Sequence, residues 1–165
     1  MDFSTLSLPP LSKVFIITSI VVPIVIYFFV PRILSSISGE KIRSTALLFF
    51  ACLLFFVSWY VPSPSIEGKY TAFATHFLGG GGFTALLWIY IRSQLHLRLH
   101  ALHDICILYF LVSGLGVANE IFELIVVKVG LAHLDASDTW WDLLANTLGA
   151  FVIYGSQRAA AAFKK

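Results

Sequence analysis

The sequence predicts an all-α integral membrane protein, a single bundle of five transmembrane helices. Of its 165 residues, 58% are hydrophobic and only 12% are charged, whereas soluble domains average about 25% charged residues. The charged residues lie mostly between long apolar runs and do not alternate with apolar residues inside them. The longest predicted connection is about a dozen residues, too short for a second domain, so residues 1–165 are predicted to form one helical transmembrane domain.

Five apolar runs are long enough to cross a hydrocarbon core about 30 Å thick, which takes roughly 20 helical residues. Each run is bounded by a charged residue or a turn sequence. Pro23 inside the first run predicts a kink, Pro62-Ser63-Pro64 predicts a turn after the second, and Asp138 is a candidate N-cap of the fifth. The predicted spans are 14–30, 44–61, 70–91, 105–127 and 139 to about 157.

The lysines and arginines are concentrated on one side of the predicted bundle, because they follow the first, third and fifth spans. Cytoplasmic loops carry the excess of basic residues in membrane proteins. The N-terminus is therefore predicted to lie outside and the C-terminus in the cytoplasm. The residues that set this orientation are Arg32, Lys41, Arg43, Arg92, Arg98, Arg158, Lys164 and Lys165.

The overall charge limits the expected partners. The net charge is only +2, and the basic residues form no stripe that could follow a phosphate backbone. Nucleic acid is therefore not expected as a partner. The predicted location is the cell membrane, as a multi-pass protein surrounded by lipids, and a homo-oligomer or a membrane-complex partner stays open.

A few polar side chains interrupt the apolar spans. Ionisable groups inside membrane helices cost at least a few kcal/mol each, so they are candidates for function. With a rise of about 1.5 Å per residue, His76 and Glu120 lie roughly 9 to 11 Å below the outer ends of their helices, and Glu123 and Asp142 lie about one turn nearer the outside. We therefore expect a polar pocket near the extracytoplasmic side. The residues assigned to it are His76, Asn119, Glu120, Glu123, Asp138, Asp142 and Asn146.

Small residues flank the predicted pocket. Gly79 to Gly82 follow His76 on the third span, and Ala145 and Gly149 lie four residues apart on the fifth. Small residues let membrane helices approach each other closely. Close packing is therefore the predicted role of the four-glycine run, and a ligand-binding or hinge role is the alternative.

The acids of the pocket need a counter-charge or a proton. The fourth span ends toward the outside, so the negative end of its helix dipole lies near Glu120 and Glu123. The cationic or titratable partners nearby in sequence are His76, His133 and Lys128. Protonated glutamates, histidine–carboxylate pairs and a bound divalent metal ion all stay open. The candidate metal ligands are His76, Glu120, Glu123 and Asp142.

Three segments of the chain resemble the VanZ-like family of small bacterial membrane proteins: Thr75-His76-Phe77, Asn119-Glu120-Ile121-Phe122-Glu123, and the stretch from Asp138 to Gly149. The same order of elements is similar to the YjdF-like membrane proteins. The resemblance covers about residues 70–157, and Asp142-x-x-Ala145-Asn146-x-x-Gly149 is its most distinctive part. It implies a helical protein of the bacterial cell envelope with no defined biochemical activity.

Two functions are compatible with these residues. The favoured hypothesis is an accessory membrane protein whose pocket binds a lipid headgroup, a cell-wall precursor or a cation. The alternative is a metal-assisted hydrolase acting on a lipid-linked substrate, with Asp138 as the base. The sequence has neither a His-Glu-x-x-His motif nor a Gly-x-Ser-x-Gly motif, which favours binding over catalysis.

Overall fold

A computed structural model of the protein describes residues 2–7, 12–42, 44–66, 69–132 and 139–163. Most of these residues are helical, which confirms the predicted helical class. The elements in chain order are β1 (Asp2–Ser7), α1 (Lys13–Ser38), α2 (Ala46–Ser58), β2 (Ser63–Ile66), β3 (Lys69–Tyr70), α3 (Phe73–Thr75), a π-helix (His76–Gly82), α4 (Phe83–Gln94), α5 (Ala101–Lys128) and α6 (Thr139–Ala162).

Helix α1 is longer than the sequence predicts. It begins after Ser12, whose Oγ accepts a hydrogen bond from the Phe15 backbone N–H. It continues through Pro31 and ends at Ser38, where it is capped by Gly39 with the left-handed φ of 69°. The predicted end at residue 30 is therefore wrong. A proline removes one backbone donor, but apolar surroundings favour continuing the helix because every other backbone group then keeps a partner.

Helix α3, the π-helix and α4 follow one another without a break. The junction residues Thr75 and Gly82 both have right-handed helical backbone angles. The three pieces therefore form one composite helix over residues 73–94, which takes the place of the predicted span 70–91. Its widened π-helical part coincides with the four-glycine run.

The composite helix and α6 approach each other closely along the π-helix, which is the most extensive helix contact of the described bundle. A Cβ atom at Gly81 would overlap the backbone of α6, and one at Gly149 would overlap the carbonyl group of Phe77. Glycine is required at both positions because backbone faces backbone. This confirms the predicted close packing at the glycines.

The long helices are antiparallel. At one end of the bundle, Phe15 near the start of α1 packs with Val126 near the end of α5 and with Trp59, which follows α2. At the other end, Leu34 of α1 packs with Leu48 near the start of α2. Residues that begin one helix therefore lie level with residues that end its neighbour.

A small antiparallel sheet with the strand order β1-β2-β3 lies beside the start of the composite helix, and the sequence did not predict it. Residues 62–64 were expected to form a turn, but Ser63 and Pro64 belong to β2. The Ser63 hydroxyl accepts a hydrogen bond from the Ala74 N–H at 3.0 Å, and Thr71 donates one to the Pro64 carbonyl at 2.8 Å. The sheet thus anchors the chain just before His76.

The outer surface of the bundle is apolar. Among the described residues, α1 and α5 are long and apolar enough to cross a membrane, and only 17% of the apolar window of each is buried. Ile17 is 60% exposed and Phe110 is 73% exposed. A helix in the core of a soluble protein would bury such side chains, so the exposed apolar surface indicates a membrane environment.

Candidate functional site

Acidic side chains and one imidazole converge where the composite helix, α5 and α6 meet. The Nε2 atom of His76 lies 3.5 Å from Oδ2 of Asp142 and 3.8 Å from Oε1 of Glu123. His76, Glu120 and Glu123 each offer a ligand atom, and these three atoms lie within 4.8 Å of one another. The structure therefore brings together four residues from three segments that are far apart in sequence: His76, Glu120, Glu123 and Asp142. We call these four residues the acidic pocket.

Local helix geometry explains how each side chain reaches the pocket. His76 is the first residue of the π-helix, a widened turn of a type that often occurs at functional sites. Glu120 and Glu123 are three residues apart on α5, so they share one face. Asp142 lies in the first turn of α6, where the positive end of the helix dipole stabilises a carboxylate.

Asn119 holds one carboxylate of the pocket in place. Its Nδ2 donates a hydrogen bond of 2.6 Å to Oε1 of Glu123. The two residues are four apart on α5, so the same helix face presents both. This hydrogen bond fixes the orientation of the Glu123 carboxylate without neutralising its charge.

Asn146 is a second amide beside the pocket, one helical turn after Asp142. Its side chain is only 3% exposed and interacts with the imidazole of His76. The carboxamide lies between Gly80, where a Cβ would overlap it, and Gly116, where a Cβ would lie 3.2 Å from its Nδ2. Its Oδ1 has no hydrogen-bond partner within the described parts of the chain.

The distances inside the acidic pocket are longer than those of tight ion pairs. Charge-assisted N–H···O bonds are about 2.7 to 2.9 Å long, whereas Nε2 of His76 lies 3.5 and 3.8 Å from its two acidic neighbours. The side chains of His76 and Asp142 are 8% and 2% exposed, so water has little access to this contact. His76 therefore lies within ion-pair distance of two carboxylates in surroundings that exclude most water.

Three residues that were predicted to lie in or near the pocket are not found among its described side chains. Lys128 is exposed at the end of α5. His133 and Asp138 lie outside the described residues, so the roles of Asp138 as N-cap and as base stay predictions. Gly116, which was not predicted to belong to the pocket, leaves room for the side chain of Asn146, since a Cβ there would lie 3.2 Å from its Nδ2.

A second polar cluster lies at the opposite end of the same three helices and was missed by the sequence analysis. Asp104 of α5 is completely buried. Its Oδ1 accepts a hydrogen bond of 2.7 Å from the Trp88 indole N–H. Its Oδ2 accepts hydrogen bonds from the Arg92 guanidinium and from the Tyr154 hydroxyl. We call these four residues the Asp104 cluster; it joins α4, α5 and α6.

One sequence signal could have identified Asp104. It stands four residues before Leu108 and eight before Val112, and both of these residues are buried. Residues four apart share a helix face, so Asp104 lies on the face of α5 that points into the bundle. Asp104 lies just outside the predicted span 105–127 and Arg92 just outside the predicted span 70–91, so neither was selected as a pocket residue.

Comparisons of the chain with protein family models, with curated protein sequences and with solved structures gave no match. The resemblance to the VanZ-like and YjdF-like proteins therefore stays a prediction that rests on the residues quoted for it. The geometry and charge of the acidic pocket are the basis for assigning a function.

Proposed function

We propose that the protein is a VanZ-like, multi-pass membrane protein of the cell envelope that binds a positively charged ligand in its acidic pocket. The supporting observation is that, among the described residues, Glu120, Glu123 and Asp142 are grouped around one imidazole. A group of carboxylates in surroundings of low polarity attracts positive charge. A cationic ligand bound there would interact with several of these acids at once.

Positive charge can come from two sources at this position. One is a free metal cation, and the other is the amine of a lipid headgroup or of a cell-wall precursor. The pocket lies toward the end of the bundle where α5 ends and α6 begins. A headgroup could reach this level without crossing the bilayer.

The proposal includes five membrane crossings with the N-terminus outside. In support, Arg92 and Arg158 belong to the ends of α4 and α6 that lie opposite the pocket, and basic residues favour the cytoplasmic side. Fusion of a fluorescent protein and of alkaline phosphatase to the C-terminus tests this orientation. We expect the fluorescent-protein fusion to fluoresce and the alkaline phosphatase fusion to be inactive. The reverse pattern would overturn the proposed orientation.

Ligand binding can be tested with the purified protein in lipid nanodiscs. The triple variant Glu120→Gln, Glu123→Gln, Asp142→Asn removes the acids and keeps their shape, while Glu40→Gln is a matched control at an exposed site. Divalent cations are titrated by calorimetry, and amine-containing phosphatidylethanolamine is compared with phosphatidylglycerol by native mass spectrometry. We expect the triple variant to lose binding and the control to keep it, with circular dichroism verifying the fold. Equal binding by the triple variant and wild type would refute the proposal.

The hydrolase alternative uses the same residues, and the mutual proximity of ligand atoms from His76, Glu120 and Glu123 is the observation in its favour. A metal-loaded preparation would then release phosphate from a lipid-linked diphosphate. Turnover that disappears in the triple variant would replace the binding proposal with a catalytic one. Binding without turnover would exclude hydrolysis of that substrate.

A further inference from the structure

We infer that the acidic pocket binds one divalent transition-metal ion of the zinc class, and that this ion joins the composite helix to α5. Its protein ligands are the imidazole of His76 and the carboxylates of Glu120 and Glu123, whose ligand atoms all lie within 4.8 Å of one another. The inference rests on the proposed function and narrows the cationic ligand to one chemical class.

The spacing of the donor atoms fits a shared metal ion. Bonds from zinc to nitrogen or oxygen are about 2.0 to 2.2 Å long, which places two ligands of a tetrahedral ion roughly 3.4 Å apart. Nε2 of His76 lies 3.8 Å from the Glu123 carboxylate, and the ligand atoms of His76, Glu120 and Glu123 all lie within 4.8 Å of one another. Small movements of these side chains would bring the three atoms to the tetrahedral spacing.

The donor types select the class of metal. Magnesium and calcium are bound mainly by oxygen ligands, whereas imidazole nitrogen suits zinc and its transition-metal neighbours. His76 is a buried imidazole at the centre of the pocket. A mixed set of one nitrogen donor and carboxylate oxygens therefore favours the zinc class.

Two amides provide the outer hydrogen bonds that metal sites commonly use. Asn119 donates to Glu123 at 2.6 Å and so orients that carboxylate. Asn146 interacts with His76, and its buried Oδ1 has no partner among the described residues. When one ring nitrogen of a histidine binds a metal, the other usually donates its N–H to an acceptor. The Asn146 oxygen is an acceptor available for that bond.

The number of protein ligands indicates the role of the ion. Structural zinc sites have four protein ligands, whereas catalytic sites keep one position open for water or substrate. The three mutually close donors are His76 of the composite helix and Glu120 and Glu123 of α5, which leaves the fourth position of a tetrahedral ion open. We therefore infer an open site, with Asp142 beside His76 at 3.5 Å, whose free position takes water or a further ligand.

Metal titration of the chelator-treated protein in detergent tests the inference. Zn²⁺ or Co²⁺ is added, and we measure bound metal per chain, the visible absorption of Co²⁺ and the thermal unfolding midpoint. We expect one ion per chain, the intense absorption of four-coordinate Co²⁺ and a higher midpoint. His76→Ala and Glu123→Gln should lose the stoichiometric ion. His100→Ala, at the start of α5, and Glu40→Gln should keep it.

A variant outside the ligand set guards against a loss of folding. Asn119→Ala keeps every proposed ligand, and we expect a 10- to 100-fold weaker metal affinity, the usual effect of removing an outer hydrogen bond. Unchanged affinity in Asn119→Ala, or the weak absorption of six-coordinate Co²⁺, would overturn the site as described. Binding of phosphatidylethanolamine without any metal would overturn the metal inference and leave the proposed function standing. Binding of neither would refute both.

Discussion

Replacing Asp104 with alanine removes an acceptor that three side chains share. Trp88 donates to one carboxylate oxygen, and Arg92 and Tyr154 donate to the other. Asp104 is fully buried, and the side chain of Arg92 is 16% exposed. The alanine variant would leave a guanidinium, an indole N–H and a phenol O–H without their acceptor.

The size of the effect follows from the burial. Removing one member of a buried ion pair costs about 3 to 5 kcal/mol, because the remaining charge is uncompensated. Arg92 keeps some exposure and could turn toward water or lipid headgroups, which favours the lower value. The two hydrogen bonds from Trp88 and Tyr154 raise it again, since a hydrogen bond to a charged group contributes about 1.5 to 3 kcal/mol. We expect Asp104→Ala to lower the free energy of unfolding by about 4 kcal/mol.

Reversible unfolding in detergent micelles, followed by tryptophan fluorescence, measures this loss. The double variant Asp104→Leu, Arg92→Met serves as the control because it removes both charges and keeps the volume. It should be less destabilised than Asp104→Ala, since no buried charge is left alone. A loss below about 0.5 kcal/mol in Asp104→Ala, the range of ordinary surface substitutions, would refute the reasoning. If the separate effects of Asp104→Leu and Arg92→Met add up to the effect of the double variant, the two charges are not coupled.

Three further outcomes are expected. Gly149→Ala should destabilise the protein by about 1 to 3 kcal/mol, because its Cβ would overlap a backbone carbonyl of the π-helix. In the control Gly114→Ala, the added Cβ meets open space, and the substitution should be neutral or up to about 1 kcal/mol stabilising. Equal unfolding midpoints for the two variants would contradict the close helix contact. A membrane-permeable maleimide should label the exposed Cys106 faster than the buried Cys52, with mass spectrometry of the peptides as the readout and equal rates as the contrary result. Chelation should lower the free energy of unfolding by about 2.7 kcal/mol relative to protein with free Zn²⁺ at one hundred times its Kd, and denaturant curves that coincide with and without chelator would argue against the ion.

Helix positions were largely predictable because apolar length is a local property of the sequence. The predicted span 105–127 lies within α5, which extends over Ala101–Lys128. The close packing at Gly149 was also predictable, since a small residue four positions after Ala145 marks a contact face. The end of α1 was not predictable, because a proline such as Pro31 usually ends a helix in water. A proline is tolerated within a helix where the backbone groups have no hydrogen-bond partners outside the helix.

The π-helix and the sheet depend on contacts that the sequence does not reveal locally. Whether residues after His76 widen into π-turns depends on the fit of Gly81 against the backbone of α6. The strand β2 contains Pro64, which usually argues against a central strand. An irregular register beside Pro64 accommodates it, because a proline can lie where a ladder hydrogen bond is missing.

The pocket was predicted by combining the depth of each residue in the membrane with the face of the helix on which it lies. This placed His76, Glu123 and Asp142 in one region. The calculation used only the rise per residue. The rise per residue could not provide the distances between side chains, nor the position of Asn146 between two glycines. Asp104 was missed because a charged residue at the edge of an apolar run looks the same whether it faces solvent or two other helices.

The acidic pocket and the Asp104 cluster both include residues of α6, which follows the other helices of the bundle in the chain. During synthesis, the composite helix and α5 would therefore be made before either site is complete. A nascent chain stopped before residue 139 would lack Tyr154, Asp142 and Asn146 altogether. We expect such a fragment to be recognised by membrane quality-control proteases, so that insertion of α6 acts as a checkpoint for biogenesis.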